Sequence, residues 1–436
     1  MSAQPNEERG FTWVPLPDLA TEQTARPLRS RIDSIDLLRG IVMVIMMLDH
    51  TRDFVHNAGL QFDPLDLTQT NPAIFFTRWI THYCAPVFVF LAGTSAYLQF
   101  ARGKSKRELS RFLLTRGLWL IVLEFTVVRL GVTFSFDLRF LGMMQVIWVI
   151  GASMIVLAGL IHLPLRLIAA FGILMIALHN LLDKVRVVGW RGPGSAVPGF
   201  GAKLWIILHQ PFEAFPIVGF PSPIVALIYP LIPWVGVMAA GYAFGPLYQM
   251  NPSVRRRRLL LLGGISTGLF VVMRAINVYG DPAKWTTQKD LVFTVLSFLN
   301  TTKYPPSLLF LLMTLGPAIM LLVWFEPLKN SPGLAAGSSA LRNFFVTFGR
   351  VPLFFYILQW YTAHVISVFL HLAFGKPVKW LFQTPLDWFS GPPQGVGFNL
   401  ATVYVCWIAG VLLLYPLCKW FAGVKARRRD WWLSYL

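Results

Sequence analysis

The sequence predicts an all-α fold, a polytopic membrane helical bundle of about ten transmembrane helices with re-entrant or interfacial segments on its outer side. Hydrophobic residues make up 55% of the 436 positions and charged residues only 13%, which is far from the balance of a soluble domain. Ten apolar runs are each long enough to cross about 30 Å of hydrocarbon as a helix. The basic residues, which give a formal charge of +18, cluster between those runs. This placement is typical of membrane topology and argues against nucleic acid as a partner.

The predicted spans follow one another along the whole chain. In order, they are residues 35–56, 73–101, 112–132, 140–161, 165–182, 223–247, 259–279, 304–325, 345–371 and 398–421. A further apolar segment at 291–299 is too short to span and predicts a re-entrant or interfacial piece. The connection 183–222 is rich in glycine, proline and aromatic residues, which is typical of a loop or helix lying on the outer surface.

The charge of the connections predicts which side of the membrane each one faces. Basic clusters follow the second, sixth and last spans, so the positive-inside rule places them and both chain termini in the cytoplasm. The first thirty or so residues lack the short apolar core and cleavage site of a signal peptide. We therefore expect a flexible cytoplasmic N-terminal tail at 1–34, a transmembrane domain at 35–421 and a basic cytoplasmic C-terminal tail at 422–436.

Familiar short motifs do not identify the chemistry. The three cysteines, Cys84, Cys406 and Cys418, are an odd number within or at the ends of apolar runs, so no disulfide framework is predicted. No group of histidine, cysteine and acidic residues has metal-ligand spacing, and no glycine loop has a phosphate-cradling pattern. The sequence therefore predicts no metal, and the candidate chemistry lies with ionisable residues inside the spans.

The first span carries the most informative pair. His50 follows Arg39 by eleven positions, so the two side chains share a helical face roughly 16 Å apart along the axis. Ionisable groups in hydrocarbon are costly, which makes each a functional hypothesis. Asp53 is close enough along that face to orient the ring of His50, and His82 in the second span lies at a depth that can bring it near His50. His364 is a third candidate; a hydrogen bond to a neighbouring helix is the alternative for all three histidines.

Other polar residues within the predicted spans are more typical of a structural role than of a catalytic one. Glu124 lies in mid-span, so we expect it to pair with Arg129 or Arg78, or to be protonated. Gln145 and Gln359 are typical of interhelical hydrogen bonding.

Several motifs together resemble a known family. Arg39, ten residues and then His50 reproduce the arginine-and-histidine pattern in the first helix of transmembrane acyltransferases. The fuller sequence resembles bacterial proteins related to heparan-alpha-glucosaminide N-acetyltransferase, and the resemblance extends over nearly the whole membrane region. The segments that carry it are RIDSIDLLRG, APVFVFLAG, LIPWVGVMAAGYAFG, KYPPSLLFLLMTLGP and FGRVPLFFY.

The resemblance implies an acetyl-CoA-dependent membrane acyltransferase, located in a bacterial inner membrane. It would move an acetyl group from cytoplasmic acetyl-CoA to a sugar or amino-sugar acceptor on the outer side, without a metal. The match at His50 is closer to bacterial O-acyltransferases, so N- and O-acetylation both stay open. The resemblance also leaves open whether acetyl passes directly or through an acyl-histidine, which acceptor is used, and whether the protein forms a homodimer.

Acyl transfer needs a base for the acceptor proton, a donor for the oxyanion and cations for the CoA phosphates. We hypothesise that His50, oriented by Asp53, is the general base or transient acyl carrier, with His82 as its proton-handling or oxyanion partner. Arg39 would hold part of CoA along the bundle. Arg350 or Lys104 would assist at the cytoplasmic mouth.

The acceptor would be bound from the outer side by polar residues near two outer connections. The alternative role for these residues is loop capping and interface anchoring. The proposed set is Arg274, Asn277, Tyr279, Asp281 and Lys303.

A secondary transporter of a small polar or anionic solute is the competing class, because it would also show ten spans and buried charges. The sequence has no paired halves with matching broken segments, and its polar groups concentrate in the first three spans. Release of free CoA favours the enzyme, whereas accumulation of solute without CoA release favours transport. A structural membrane scaffold is a weaker alternative, since it has no use for buried ionisable groups.

Overall fold

Apolar runs of the lengths seen in this sequence become helices because a helix satisfies every backbone polar group internally. The computed structural model describes residues 32–59, 61–326, 336–388, 394–428 and 430–435. Most of the predicted N-terminal tail, 1–34, lies outside these residues. The first helix begins within the last part of that range, at Asp33.

The chain is a helical bundle, which confirms the predicted all-α membrane fold. The helices are α1 (Asp33–Val55), α2 (Pro72–Ile80), α3 (Cys84–Ala101), α4 (Lys106–Leu123), α5 (Arg129–Thr133), α6 (Val146–Leu160), α7 (Leu165–Leu178), α8 (Phe200–His209), α9 (Leu231–Phe244), α10 (Pro252–Ile276), α11 (Leu291–Leu299), α12 (Leu308–Phe325), α13 (Ala336–Arg350), α14 (Pro352–Ala373) and α15 (Leu400–Arg427).

Within the described residues, seven helices, some joined end to end through a 3₁₀ turn, are long and apolar enough to cross a membrane. They correspond to the second, fifth, sixth, seventh, eighth, ninth and tenth predicted spans. Three further helical segments correspond to the others: α1 and the pair α4–α5, which carry charged residues, and the 15-residue α6. The short segment predicted at 291–299 is α11, which has nine residues.

Two helical segments are interrupted near polar residues. Between α2 and α3 the chain forms a 3₁₀ turn, Thr81–Tyr83, which contains His82. Pro86 follows directly and has no N–H to donate to the carbonyl of His82, so the regular helical ladder is broken there. Between α4 and α5, residues Glu124–Val128 form a π-helical turn, a distortion that is frequent at functional sites.

A small sheet is the main departure from the predicted architecture. Strands β1 (Phe140–Met144), β2 (Glu213–Pro216) and β3 (Ile224–Leu227) form a three-stranded sheet of order β1-β3-β2. β1 pairs parallel to β3, and β2 pairs antiparallel to it. The predicted helical spans 140–161 and 223–247 were therefore wrong at their first residues. Short apolar strands and buried helix ends have the same composition, so the pattern could not separate them.

The connection 183–222, predicted to be a loop or helix on the outer surface, is a folded segment with both a helix and a strand. It contains α8 and β2, and a small separate core forms between this segment and the sheet. Trp190 and Phe215, which the sequence assigned to the outer surface, are buried in that core.

The bundle has two chemically different ends. The basic end is defined by the loop 102–105, the start of α10 at Arg255–Arg258 and the end of α15. The loop end is opposite and contains the sheet, α8, α11 and the connection 300–307. α1 runs from the basic end to the loop end, with Arg39 near its start and His50 near its finish.

Candidate active site

A buried ion cluster surrounds the last turn and a half of α1. Asp49 forms ion pairs with Arg52 one turn on, at 3.0 Å, and with Arg78 of α2, at 2.5 Å. Lys303, in the connection before α12, is 93% buried and also interacts electrostatically with Asp49. Asp49, Arg52, Arg78 and Lys303 are called the charged cluster below. Charges in such a place are stable only when they are paired, and Asp49 pairs with both arginines.

His50 lies beside the charged cluster but has no hydrogen bond to it. Both of its ring nitrogens are buried and have no hydrogen-bond partner among the described residues. Its ring instead packs on Trp360 of α14, with centroids 3.6 Å apart. The Asp53 carboxylate, expected to orient the ring, pairs with Arg52 at 2.7 Å. The imidazole is therefore positioned by aromatic packing, and the described residues hydrogen-bond neither of its nitrogens.

His82 joins the same environment from the 3₁₀ turn before α3. The residue is fully buried, packs against Phe310 with ring centroids 5.2 Å apart, and has two ring nitrogens without partners in the described chain. All four members of the charged cluster act electrostatically on both His50 and His82. The structure therefore brings the two histidines to one cluster.

A loop network holds Lys303 in this position. Asp281 accepts hydrogen bonds from the backbone N–H of Thr302 at 2.9 Å and from the Ser307 hydroxyl at 2.6 Å. These bonds close the connection 300–307 on the 280–283 turn, on either side of Lys303. The neighbouring Tyr304 hydroxyl donates to Tyr229 at 3.5 Å. The cation thus comes from a braced loop, not from a mobile side chain on a helix surface.

A cavity of about 310 Å³ leads from the basic end toward this cluster. That volume is at the lower end of the roughly 300–1,000 Å³ typical of small-molecule sites. Its polar lining includes Arg39, Ser95, Gln99 and Arg116. Arg39 donates to Ser95 at 2.9 Å and to the carbonyl of Gly349 at 3.3 Å, which fixes its direction.

The deep end of the cavity stops one helical turn short of three candidate groups. Its lining includes Met46 of α1, Leu120 of α4 and Tyr356 of α14. Four residues farther along the same helices, toward the loop end, are His50, Glu124 and Trp360 respectively. The cavity therefore extends from a pair of arginines to a level one helical turn from the unpartnered imidazole.

Comparison with known families identifies the chain. A family model described as heparan-alpha-glucosaminide N-acetyltransferase, catalytic, matches residues 31–280. The chain belongs to this family. The match includes α1 to α10 and therefore His50, His82 and the first three members of the charged cluster. A search of curated proteins finds no match.

Membership of the heparan-alpha-glucosaminide N-acetyltransferase family makes the protein a membrane-embedded acetyltransferase, and the family uses acetyl-CoA as donor. The alternative of a secondary transporter receives no support from this match. Lys303, Tyr356 and Trp360 lie outside the matched range, so part of the site is built by the C-terminal third of this acetyltransferase.

The two assisting cations proposed for CoA lie at the basic end of the acetyltransferase. Lys104 donates to Gln99 at 2.8 Å and lies 4.1 Å from the ring of Phe112, and both partners line the cavity. Partial burial lowers the pKa of Lys104 from its ordinary value. Arg350 ends α13 with an exposed side chain, next to Gly349, whose carbonyl holds Arg39.

Most of the proposed acceptor-binding residues are engaged in building the loop end. Arg274 is 99% buried and donates to four backbone carbonyls, among them those of Phe298 and Asn300. The other three bind within the same loops or to α7: Asn277 with Trp285, Tyr279 with the carbonyl of Ala177, and Asp281 as described above. Lys303 is the member of the predicted set that belongs to the charged cluster.

Among the buried polar residues of the interior, Glu124 is fixed by a hydrogen bond to the backbone. Glu124 accepts the backbone N–H of Trp148 at 2.9 Å and so caps the start of α6, just after Gln145. It pairs with neither expected arginine, because Arg129 donates to the Phe140 carbonyl and Arg78 binds Asp49.

Two polar residues of α14 differ in their contacts. His364 hydrogen-bonds the Gly131 carbonyl at 3.0 Å and stacks on Phe134, so it holds two helices together. Gln359 is fully buried, and neither polar atom of its amide has a hydrogen-bond partner in the described chain.

Sequence reasoning missed four residues of the site. Asp49 and Arg52 flank His50 and carry the cluster's central ion pair, and a signal was present because three ionisable residues occur within four positions of an apolar run. Arg116 lies inside the predicted span 112–132, so its charge was also a signal. Trp360 has no sequence signal that distinguishes it from other aromatic residues of the spans.

Proposed function

We propose that the protein transfers an acetyl group from acetyl-CoA, bound from the cytoplasm, to a sugar or amino-sugar acceptor on the outer side of the membrane. The observation that carries the proposal is the cavity that begins at Arg39 and Arg116 and ends one turn from His50. A donor entering it would place its anionic part at the two guanidinium groups and its thioester near the imidazole. The basic end would then face the cytoplasm, as the positive-inside rule expects.

Each catalytic requirement has a candidate residue in this arrangement. His50 removes the proton from the acceptor hydroxyl or amine as its oxygen or nitrogen bonds to the thioester carbonyl carbon. The neighbouring carboxylate of Asp49 stabilises the imidazolium that results. The carbonyl becomes an oxyanion, and the surplus positive charge of the charged cluster, supplied by Lys303 and the two arginines, stabilises it. The C–S bond then breaks, and His50 returns the proton to the CoA thiolate.

His82 supports the same chemistry from the second span. Its buried, unpartnered ring is a hydrogen-bond donor or acceptor in the site, which suits the oxyanion or proton-handling role. Asp53 acts on Arg52, and through it on Asp49, as a positioning residue and does not contact the imidazole.

His50→Ala tests the central step. We expect kcat for CoA release to fall about 10²- to 10⁴-fold, the usual contribution of a general base, with acetyl-CoA binding within a few-fold of wild type. The exposed His162 provides the matched control, and His162→Ala is expected to keep full turnover. Retained turnover in His50→Ala would remove this residue from the chemistry.

The same assay distinguishes the two routes of transfer. A burst of one CoA per chain before any acceptor is added would identify an acyl-histidine intermediate, since transfer would then proceed in two half-reactions. CoA release that requires the acceptor would identify direct transfer.

A further inference from the structure

Three side chains with metal-binding atoms meet at the loop end, outside the cavity and the charged cluster. His179 follows the end of α7, Asp183 lies four positions later, and His209 ends α8. One ligand atom from each residue lies within 4.8 Å of the other two. The group is called the His–Asp–His cluster. Its members come from two segments, so no motif spacing in the sequence reveals it.

Two of the distances within the cluster are close to those around a tetrahedral metal ion. Nδ1 of His179 lies 3.4 Å from Nε2 of His209, which in turn lies 3.8 Å from Oδ1 of Asp183. Tetrahedral zinc with Zn–N bonds of about 2.0–2.1 Å separates its ligand atoms by about 3.4 Å. Two imidazole nitrogens facing each other at this distance can hold one proton or one metal ion between them.

The surroundings of the cluster orient the ligands. Asn180 donates to Oδ2 of Asp183 at 2.8 Å, which leaves Oδ1 directed toward His209. A hydrogen bond of this kind to a ligating carboxylate is typical of the outer shell of a metal site. The side-chain oxygen of Asn180 also accepts the backbone N–H of Leu308 at 3.0 Å.

Burial and charge favour a cation here. The two histidines are 98% and 97% buried, whereas Asp183 is partly exposed and gives access from the loop end. Nε2 of His209 also lies 3.1 Å from the backbone carbonyl oxygen of His179, so this nitrogen would give up its proton on binding a metal. The Asp183 carboxylate brings a negative charge to this site, which a bound cation would neutralise.

We propose that His179, Asp183 and His209 bind one divalent transition-metal ion of the zinc type, with water completing a tetrahedral site. Two nitrogens and one oxygen suit zinc better than magnesium or calcium, which prefer all-oxygen sites. The ion would tie α7 to α8 and, through Asn180, to the start of α12. It would therefore brace the connection that carries Lys303, as a structural site separate from the acetyl-transfer chemistry.

Zinc binding to the full, tag-free chain in detergent tests the proposal. After chelation and dialysis against Zn²⁺ alone, elemental analysis is expected to find one zinc per wild-type chain. Asp183→Asn and His209→Gln are expected to bind at least about tenfold more weakly. His162→Gln, which removes an exposed histidine, is the matched control and should bind like wild type. No zinc on wild type, or unchanged binding in both cluster variants, would overturn the proposal.

A second measurement does not depend on the variants folding. X-ray absorption of zinc-loaded wild-type protein is expected to show two imidazole ligands and oxygen at tetrahedral distances. A sulfur ligand, or a shell of oxygen alone, would rule out the His–Asp–His cluster. Acetyl-CoA binding at the basic end is expected to be unchanged by chelation, so failure here is distinguishable from failure of the acetyltransferase proposal.

Discussion

Asp49 connects the electrostatics of the site to its chemistry. It is adjacent to His50 in the sequence, it pairs with two buried arginines, and Lys303 acts on it from the connection before α12. A single carboxylate thus holds together residues from α1, from α2 and from the C-terminal third of the chain. The free-energy cost of keeping three cations near the membrane interior is offset mainly by Asp49.

Removing the carboxylate of Asp49 should destabilise the protein far more than removing the carboxylate of Asp53, the next one along α1. Asp49→Asn leaves Arg78 buried without its ion-pair partner and leaves Arg52 with Asp53 alone, a loss of about 3–5 kcal/mol in comparable buried pairs. Asp53→Asn is the matched control, because its side chain is 41% exposed and such pairs contribute about 0.2–1 kcal/mol. Thermal unfolding in detergent measures both, and equal losses would contradict the central role of Asp49.

Arg39 should determine donor affinity. Its guanidinium lines the cavity and is held by Ser95 and the Gly349 carbonyl. Since hydrogen bonds to charged groups contribute about 1.5–3 kcal/mol, Arg39→Gln is expected to raise the acetyl-CoA Kd by about 10- to 100-fold. Arg256→Gln, an exposed arginine at the same end, should leave the Kd unchanged at moderate salt. Calorimetric titration distinguishes them, and a similar change in both would indicate general charge attraction instead of a binding site.

Arg39 is kept in place by helix packing, because α1 and α13 touch through glycines. A Cβ on Gly349 would lie 1.8 Å from the carbonyl oxygen of Asp36, and one on Gly40 would lie 1.8 Å from that of Phe345. Such backbone contact is possible only without a side chain, as is typical of close helix pairs in membranes. The geometry of the cavity mouth therefore depends on this crossing.

Gly349→Ala is expected to separate the two helices, with a cost of about 1–3 kcal/mol from overpacking and a weaker acetyl-CoA affinity. Gly264 is the matched control, because it lies within α10 and no atom lies within 4 Å of the position of its Cβ. Gly264→Ala is expected to be neutral or to stabilise by up to about 1 kcal/mol. Unfolding temperature and donor Kd check both variants; equal behaviour would mean that the α1–α13 contact is not tight.

The sequence predicts the positions of the helices well, but it does not predict the short strands beside them. Apolar runs of sufficient length have one solution in a membrane, so α7, α10, α12 and α15 follow from composition alone. β1 and β3 do not, because four or five apolar residues beside a span look like its continuation. β3 finds backbone partners on both sides, in β1 and in β2 from a distant connection, and sequence pattern does not report such pairing.

The candidate site shows even more clearly that local sequence patterns do not reveal contacts between distant segments. Arg39 and His50 were found because they share one helix and one face, which sequence spacing reports directly. Two of the three partners of Asp49 are 29 and more than 250 positions away, and the His–Asp–His cluster joins two segments across a connection. Contacts of this kind are set by tertiary packing, and no local pattern records them.

At the scale of the whole molecule, the basic end and the loop end contribute different parts of the candidate site. The basic end contains the cavity mouth and its arginines, and the loop end contains the braced connections from which Lys303 reaches the charged cluster. The proposed reaction across the membrane requires this polarity, because donor and acceptor would approach His50 from opposite sides. The orientation of the chain is therefore a direct test of the proposed function.

Labelling of single introduced cysteines measures that orientation, and the three native cysteines do not interfere because all are buried. Arg257→Cys places a thiol at the basic end, and Val188→Cys places one at the loop end, where that side chain is 78% exposed. With an impermeant maleimide, we expect Val188→Cys to react in intact cells and Arg257→Cys to react only after permeabilisation. The reverse pattern would place the arginine-lined cavity on the side without cytoplasmic acetyl-CoA, and the proposed direction of transfer would then be wrong.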